Sequence, residues 1–266
     1  MSVTIHPTAI VEKGAELDNG VNIGPMCVVG SKVKLGKNVK LIAQVNIAGD
    51  THIDDDCELY PFVSLGHPPQ DFKHKGGPVG LRIGKRTIMR ETVNIHPGTD
   101  NGRPMTTVGD DCYFMYGTHL AHEGKMGNNV VLSNGTQVGG CVTIGDNVII
   151  GGLCAIHQYT RIGHHAFIGG MTTVVKDVIP YGMTLGNKQV LNGLNTVGLK
   201  RRGFSKTKIH DLRAAYRMIF APEGTFEERL EDAAKLYEDH EQVMEIINFI
   251  RSQEKRPICT PTPENK

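Results

Sequence analysis

An aliphatic residue at every sixth position is the feature that most constrains how this chain folds. The series begins at Ile5 and continues to Leu65, reappears from Ile83 to Ile95, and resumes from Val108 to Val174. A helix needs a period near 3.6 residues and a simple strand a period of about 2, so neither pattern explains the series. A six-residue period is typical of a hexapeptide solenoid, in which each repeat forms one short strand.

Three repeats make one coil of eighteen residues, so the sequence predicts a mainly β fold. We expect a triangular prism of short parallel strands with the aliphatic side chains stacked inside it. Glycine often follows the aliphatic residue, as at Gly24, Gly30 and Gly139, and we interpret these glycines as corners where φ is constrained. A small residue such as Cys27 or Thr136 stands two positions before the aliphatic one. Periodicity alone leaves the handedness of the coil open.

Composition restricts the class of protein. The 266 residues include 29 Lys and Arg against 28 Asp and Glu, so the overall charge does not indicate a nucleic-acid or membrane-surface partner. We find no window of eighteen apolar residues and no signal-like start, and we predict a cytoplasmic protein without a membrane span. Four of the six cysteines share one repeat position, which indicates packing residues in a reducing compartment: Cys27, Cys57, Cys112 and Cys154.

Two segments interrupt the period. Residues 66–82 and 96–107 are rich in Pro, Gly and charge, and we predict loops ejected from the prism. The repeat fades after Val174, and helical spacing follows Ser205, a predicted N-cap. The predicted units are a β-helix domain (1–190), a helical domain (191–256) and a Pro-rich mobile tail (257–266).

Coil stacking predicts one site. Residues eighteen apart lie in neighbouring coils, roughly 4.8 Å apart, so His122 lies beneath Gly140. The polar side chains that this counting brings near one edge are His96, His119, His122, His157 and Gln158. An imidazole can deprotonate a hydroxyl nucleophile and a peptide N–H can stabilise an oxyanion, so the cluster with the Gly140 N–H indicates acyl transfer. Clustered histidines also bind zinc, and a zinc site remains an alternative.

The sequence resembles the hexapeptide acyltransferases, and closely the UDP-N-acetylglucosamine O-acyltransferases that begin lipid A synthesis. The resemblance covers nearly the whole chain, with landmarks "HPPQDFK" (67–73), "THLAHE" (118–123), "IIGGLCAIHQY" (149–159) and "GNKQVLNGLNTVGLKRRGFS" (186–205). It implies a left-handed parallel β-helix with a C-terminal helical domain, and a homotrimer with active sites between neighbouring prisms. It also implies transfer of an (R)-3-hydroxyacyl chain from acyl carrier protein to the 3-hydroxyl of UDP-GlcNAc, with no cofactor beyond the carrier's phosphopantetheine and no metal.

The resemblance also assigns roles to residues. His122 is the expected general base, oriented by Glu123, and the Gly140 N–H the expected oxyanion donor. The residues expected to bind the substrates are Gln70, Asp71, Lys73, His96 and His119 at the glucosamine, His157 and Gln158 at the nucleotide and sugar end, and Asn195 and Arg202 at the uridine diphosphate. Arg201 belongs to a basic stretch expected to meet the carrier protein or its phosphopantetheine. Gly170 is the expected acyl-chain ruler.

Four positions depart from the family pattern. Glu123 replaces the usual Asp, Val197 replaces a Glu near the ribose, and Cys141 and Lys188 replace histidines. We expect direct transfer without an acyl-enzyme, and Cys141 is the residue that could challenge this expectation. Two other classes stay open: acylation of a related nucleotide sugar such as the 3-amino analogue, and a zinc-dependent hexapeptide hydratase or a scaffold.

Overall fold

The computed structural model describes residues 2–186 and 189–261, in which short strands wind into a three-sided prism that is followed by helices. The strands before the first loop are β1 Thr4–Ile5, β2 Ile10–Val11, β3 Glu16–Leu17, β4 Asn22–Ile23, β5 Val28–Val29, β6 Lys34–Leu35, β7 Lys40–Leu41, β8 Asn46–Ile47, β9 Asp50–Ile53, β10 Glu58–Leu59 and β11 Ser64–Leu65. Those between the loops are β12 Gly80–Ile83, β13 Ile88–Met89 and β14 Asn94–Ile95.

The remaining strands follow the second loop. They are β15 Met105–Val108, β16 Tyr113–Phe114, β17 His119–Leu120, β18 Lys125–Met126, β19 Val131–Leu132, β20 Gln137–Val138, β21 Thr143–Ile144, β22 Ile149–Ile150, β23 Ala155–Ile156, β24 Arg161–Ile162, β25 Phe167–Ile168, β26 Thr173–Val174, β27 Gly182–Thr184 and β28 Leu191–Leu194. The helices are α1 Thr196–Arg201, α2 Lys206–Ile219, α3 Phe226–Leu236 and α4 Glu241–Arg251.

Three sheets form the faces of the prism. Up to β26 every third strand enters the same sheet, which gives a 9-stranded sheet from β2 to β26 and an 8-stranded sheet from β3 to β24. The third sheet runs from β1 to β25 in the same way and is completed to 11 strands by β27 and β28. Ile5 pairs with Ile23 in parallel register, and later coils repeat this spacing, so the predicted coil of eighteen residues is confirmed. The aliphatic series fills the interior: Ile23, Leu41, Leu59, Met89, Phe114 and Leu132 are each at most 1% exposed.

The chain turns at three edges. The histidine edge joins the 9-stranded to the 8-stranded sheet and includes the turns 122–123, 140–141 and 158–159. The apolar edge joins the 11-stranded to the 9-stranded sheet and includes the turns 25–26, 61–62, 116–117, 152–153 and 170–171. The carboxylate edge joins the 8-stranded to the 11-stranded sheet and includes the turns 55–56, 110–111, 128–129 and 146–147.

Both predicted loops leave the prism at the histidine edge. They are shorter than predicted, because β12 begins at Gly80 and β15 at Met105, which leaves loops at 66–79 and 96–104. The insertions do not change the register: Leu65 pairs with Ile95, and Ile95 with Leu120. Each loop is therefore an addition to one corner of an unbroken stack.

The glycines after the aliphatic residues serve a different purpose from the predicted one. Positive φ occurs at the second turn residue instead, for example at Met26, Asn38 and Asp56. A Cβ at Gly36 would lie 2.7 Å from Asp55 Oδ1, one coil above. Glycine is therefore required there because the next coil approaches closely, and the prediction of constrained φ at these positions is wrong.

The helical region packs as a second core. Ser205 caps α2, since its Oγ accepts a hydrogen bond from the Lys208 N–H at 3.2 Å, which confirms the predicted start. The two buried clusters divide between Val178 and Ile179, earlier than the predicted boundary at 190, and β28 still pairs with β27 of the prism. No helix within the described residues is long and apolar enough to cross a bilayer.

Part of the segment predicted as a mobile tail is packed. Ile258 is 7% and Cys259 0% exposed. The Cys259 N–H donates to the Asp177 carbonyl at 2.7 Å, and the Leu191 N–H donates to the Thr260 carbonyl. The prediction is wrong for 257–260, because these residues close the second core; residues 262–266 lie outside the described part.

Candidate active site

The histidine edge carries two columns of turn residues. His122, Gly140 and Gln158 occupy the first turn position of successive coils, as the stacking argument predicts. Glu123, Cys141 and Tyr159 occupy the second position, with φ angles of 62°, 60° and 64°. The two columns are adjacent along the histidine edge, so each residue of the first column lies next to residues of the second.

His122 and Glu123 form a hydrogen-bonded pair. His122 Nδ1 lies 3.2 Å from Glu123 Oε1, and both side chains are largely buried. An ionised carboxylate only accepts hydrogen bonds, so Nδ1 carries the ring proton of the neutral imidazole. Nε2 is then unprotonated and can accept a proton, as a general base requires.

Glu123 is held by the loop at 96–104. Thr99 Oγ1 donates to Oε1 at 2.6 Å and the Arg103 N–H donates to Oε2 at 2.7 Å. Burial alone raises the pKa of Glu123, but the donors from Arg103, Thr99, Cys141 and His122 outweigh it and hold this pKa below its usual value. The extra methylene of Glu123, compared with the Asp of the family pattern, is accommodated because the carboxylate has these fixed partners.

Gly140 lies one coil above His122 and directly against its ring. A Cβ at this position would lie 2.5 Å from His122 Cε1 and 2.6 Å from Nε2, so the ring occupies the space that any other residue would fill. Among the described residues, the Gly140 N–H donates to no backbone or side-chain acceptor. Its carbonyl, by contrast, accepts from the Tyr159 N–H at 3.0 Å.

The carboxylate edge shows what an equivalent N–H binds. There the first-turn N–H of one coil donates to a side-chain oxygen of the next: Lys85 to Asp110 Oδ1 at 2.9 Å, Asp110 to Asn128 Oδ1 at 2.8 Å and Asn128 to Asp146 Oδ1 at 2.6 Å. The turn therefore directs this N–H toward an oxygen acceptor. At Gly140 no oxygen of the described residues accepts this N–H, so the N–H is available to an oxygen of a ligand.

Cys141 is a protonated thiol. Burial and the neighbouring Glu123 carboxylate raise the pKa of Cys141 to about 11. A thiol becomes a nucleophile only as the thiolate, so this environment opposes covalent catalysis. One ring nitrogen of His122, one carboxylate oxygen of Glu123 and Cys141 Sγ lie within 4.8 Å of one another, and no other set of three such residues in the described part of the chain meets this distance.

His96 and His119 line the same edge below His122. His96 lies one coil under Ala121, as predicted, and is 4% exposed. The two rings meet edge to face with their centroids 5.0 Å apart. Burial lowers the pKa of His96 to about 4 and also lowers the pKa of His119, so both rings are neutral near pH 7. His96 Nδ1 is buried without a hydrogen-bond partner among the described residues.

The loop at 66–79 presents polar side chains to solvent. Gln70 and Lys73 are exposed and Asp71 is half-buried. Asp71 Oδ1 accepts from the Lys73 N–H at 2.9 Å, which forms a tight turn, and the tip Phe72 is fully exposed. The predicted sugar-binding residues Gln70, Asp71 and Lys73 therefore lie on a loop of the histidine edge, where the Gln70 and Lys73 side chains are exposed to solvent.

Arg256 contacts the predicted nucleotide end of the site, a contact that sequence analysis missed. Its Nη2 lies 2.6 Å from His157 Nδ1, and its Nε donates to the Gln158 carbonyl at 3.1 Å. His157 Nδ1 also lies 3.2 Å from the Gln158 carbonyl oxygen, which only accepts, but its shorter contact is with the guanidinium, which only donates. We therefore assign Nδ1 as the acceptor and place the ring proton on Nε2. Arg256 thereby makes His157 an Nε2–H donor.

The remaining predicted nucleotide residues lie at the carboxylate edge. Asn195 is buried and caps α1: its Oδ1 accepts from the Gly198 N–H and its Nδ2 donates to the His165 carbonyl, both at 3.0 Å. Arg202 Nη2 donates to the Asn147 carbonyl at 2.8 Å, whereas Nη1 is buried without a partner in the described residues. Arg201 is exposed in the last turn of α1. Lys188 lies outside the described residues.

Gly170 lies at the third edge, the apolar edge, where it is exposed. Large apolar side chains project along this edge: Met26 is 62%, Phe62 55%, Tyr116 59%, Leu153 68% and Met171 71% exposed. One chain therefore brings His122, Glu123, Gly140, His96, His119, His157 and Gln158 together with the loop at 66–79, but places Gly170 and the pair Asn195 and Arg202 at the other two edges.

Comparison with known proteins gives a consistent result. Residues 177–259 match a family model described as UDP-N-acetylglucosamine O-acyltransferase, domain 2. The chain is 50% identical over 262 residues to the acyl-(acyl-carrier-protein)–UDP-N-acetylglucosamine O-acyltransferase of Caulobacter vibrioides, which covers 98% of this chain and 100% of that one. It is 46% identical over 257 residues to the enzyme of the same name from Bartonella henselae, covering 97% of this chain and 94% of that one.

Solved structures show the same fold. UDP-N-acetylglucosamine acyltransferase from Francisella novicida superposes with a TM-score of 0.94 at 31% identity, covering 98% of this chain and 95% of that one. The UDP-N-acetylglucosamine O-acyltransferase from Moraxella catarrhalis superposes with a TM-score of 0.93 at 38% identity, covering 96% of this chain and 99% of that one. The predicted left-handed parallel β-helix is confirmed, and the hydratase and scaffold alternatives are set aside. The chain belongs to the UDP-N-acetylglucosamine O-acyltransferase family.

Proposed function

We propose that this protein transfers an (R)-3-hydroxyacyl chain from acyl carrier protein to the 3-hydroxyl of UDP-GlcNAc, the first step of lipid A synthesis. The observation that carries the mechanism is the pairing of His122 with Glu123 directly against Gly140. It supplies a base with an unprotonated Nε2 and, next to it, a peptide N–H that has no acceptor among the residues the structure describes.

The reaction follows from these groups. His122 Nε2 takes the proton of the sugar hydroxyl as its oxygen attacks the thioester carbonyl carbon. The carbonyl oxygen becomes negative and accepts the Gly140 N–H hydrogen bond. The tetrahedral intermediate then expels the phosphopantetheine sulfur, which receives the proton from the imidazolium. Glu123 stabilises the charged ring between these steps, as the carboxylate of a catalytic triad does.

Direct transfer needs no enzyme nucleophile. The Cys141 thiol is held protonated by its raised pKa, and the cysteines of the prism interior, such as Cys112 and Cys154, are buried. We expect no cofactor beyond the phosphopantetheine arm of the carrier and no catalytic metal.

We propose that the active enzyme is a homotrimer. His122 and Gly170 lie at different edges of one prism, so an acyl chain that extends from the base to the ruler must lie between two prisms. The exposed apolar column at the Gly170 edge supports this arrangement, because a monomer rarely leaves such a patch in water. Arg202, at the carboxylate edge, carries a buried Nη1 that has no partner among the described residues and that a diphosphate could bind.

Partner and location are part of the same proposal. Exposed basic residues around the junction of α1 and α2 offer a surface for the acidic carrier protein: Lys200, Arg201, Lys206 and Lys208. The loop residues Gln70, Asp71 and Lys73, with His96 and His119, are proposed to bind the glucosamine. We propose a cytoplasmic location, where the acyl carrier protein is available.

Acylation of a 3-amino analogue of UDP-GlcNAc is the second candidate. Cys141 and the exposed Val197 stand where the family pattern has other residues, and such changes could alter the preferred acceptor. Mass spectrometry of products formed from each nucleotide sugar with a graded series of acyl carrier proteins distinguishes the two, because one product is an ester and the other an amide.

Substitution of the base tests the mechanism. We expect His122→Ala to lower kcat by about 100-fold to 10,000-fold, with an unchanged melting temperature. His210→Ala, at an exposed histidine of α2, is the matched control and should retain full activity. Near-normal turnover in the His122 variant would contradict the proposed base.

Light scattering tests the assembly. We expect wild-type protein to have three times the chain mass of 29.1 kDa. Leu153→Glu, in the exposed apolar column, should shift the mass toward one chain and lower the activity with it. A monomeric wild type with full activity would contradict the intersubunit site.

A further inference from the structure

His122, Glu123 and Cys141 have the geometry of a metal site. One ring nitrogen of His122, one carboxylate oxygen of Glu123 and Cys141 Sγ lie within 4.8 Å of one another, and His122 Nδ1 is 3.2 Å from Glu123 Oε1. With zinc bonds of about 2.1 Å to nitrogen and oxygen and about 2.3 Å to sulfur, tetrahedral ligand atoms lie about 3.4 to 3.6 Å apart. The nitrogen and oxygen are within about 0.2 Å of this spacing, and the sulfur needs to move by at most about 1.2 Å.

The donors suit zinc rather than a harder cation. A thiolate, an imidazole and a carboxylate form a mixed sulfur, nitrogen and oxygen set that favours zinc over magnesium or calcium. The Glu123 ligand is held in place by Thr99 Oγ1 and the Arg103 N–H, which fixes its orientation before a metal arrives. His122 and Cys141 are both partly exposed, so an ion can reach them from solvent.

We propose that His122, Glu123 and Cys141 bind one zinc ion, with water as the fourth ligand, and that the bound ion inhibits the enzyme. The inhibition, but not the binding, rests on the proposed role of His122 as general base. This role of Cys141 differs from catalysis, since the thiol takes no part in acyl transfer.

Proton accounting explains the inhibition. Zinc forms bonds to Nδ1, Oε1 and Sγ; the thiol proton leaves to solvent, and no group is oxidised or reduced. In the metal-free site the ring proton lies on Nδ1 and Nε2 is the free acceptor. When zinc occupies Nδ1, the proton of the neutral ring must lie on Nε2. The ring can then no longer accept the proton of the sugar hydroxyl.

Metal binding is tested without turnover. Purified protein is titrated with zinc against a chromogenic chelator, and with Co²⁺, whose thiolate complexes absorb in the near ultraviolet by charge transfer. We expect the wild-type protein to bind one zinc ion per chain with Cys141 as a ligand, and to show the charge-transfer band of a thiolate complex when Co²⁺ is added. Cys141→Ser should bind zinc at least about tenfold more weakly and lose the band, since a hydroxyl does not give it.

A surface site provides the control. His210 and His240 both lie 3.6 Å from Asp211 and offer a second place for weak zinc binding. His240→Gln removes that site, and we expect it to keep the Co²⁺ thiolate band and the sensitivity to zinc. A wild type without the band, or a Cys141→Ser variant with unchanged zinc affinity, would overturn the proposed site.

Inhibition is measured next, with each variant normalised to its own activity in excess chelator. Wild-type activity should fall at least about tenfold as zinc saturates the site, and should return when the chelator is added; Cys141→Ser should need at least about tenfold more zinc. Equal zinc sensitivity of the two proteins would overturn the proposed inhibition. Zinc bound through Cys141 without any loss of activity would leave the metal site standing and refute His122 as the base.

Discussion

Gly140→Ala should displace His122, the proposed catalytic base, without unfolding the protein. The added Cβ would lie 2.5 Å from His122 Cε1 and 2.6 Å from Nε2, whereas carbon atoms in contact need about 3.5 Å or more. The ring must therefore move by about 1 Å. The main chain can stay in place, because Gly140 does not have positive φ and the three atoms nearest the new Cβ all belong to the His122 side chain.

A displacement of about 1 Å from a reactive geometry costs roughly 100-fold in rate, which corresponds to about 2.7 kcal/mol of activation free energy. We expect kcat to fall by that factor, measured by acyl transfer to UDP-GlcNAc, with little change in the melting temperature. The oxyanion N–H is retained in this variant, so the loss reports the position of the ring.

Gly30→Ala is the matched control for this substitution. Its Cβ would lie 3.3 Å from the Ile47 carbonyl oxygen, and one coil above it the same position carries Ala48. We expect wild-type kcat in this control. If Gly140→Ala turned over at the wild-type rate while its fold was intact, the placement of the His122 ring against Gly140 would not matter to the reaction, and the proposed mechanism would be refuted.

Three further predictions follow from neighbouring contacts. Glu123→Gln should lower kcat by about 100-fold or more in the transfer assay, because an amide can stabilise the wrong tautomer of the ring; full activity would contradict this role. Arg256→Ala should raise KM for UDP-GlcNAc about tenfold with little effect on kcat, because His157 loses the donor that fixes its tautomer; an unchanged KM would refute it. The free energy of unfolding should fall by about 3 kcal/mol through His96 between pH 6.5 and 4, because the pKa of His96 is about 4 in the folded protein and the unfolded chain therefore binds the proton more tightly. Urea unfolding of His96→Gln should show a smaller fall over the same pH range, and an equal fall would contradict the prediction.

The prism and the centre of the site could be predicted from the sequence because both follow from periodicity. Once the coil length is known, His122, Gly140 and Gln158 must stack, and the structure places them in one column. His96 could be placed across the second loop for the same reason, since the insertion leaves the register unchanged.

Contacts that involve irregular backbone could not be predicted in this way. Thr99 and Arg103 hold Glu123 from a loop whose conformation has no period, so nothing in the repeat indicates them. Arg256 reaches His157 across 99 residues of sequence, from a segment next to the predicted tail. The predicted loop ends were wrong because β12 and β15 extend to four residues, longer than the two-residue strands of most coils.

The insertion of both loops without a change of register has a consequence for the evolution of specificity. Because Leu65, Ile95 and Leu120 remain paired across the two insertions, the folded stack is insensitive to what is placed between the repeats. Doubling the length of a flexible loop costs only about 0.6 kcal/mol in closure entropy. Segments of quite different length and chemistry can therefore be exchanged at this corner, so the acceptor that the enzyme recognises can diverge while its scaffold stays the same.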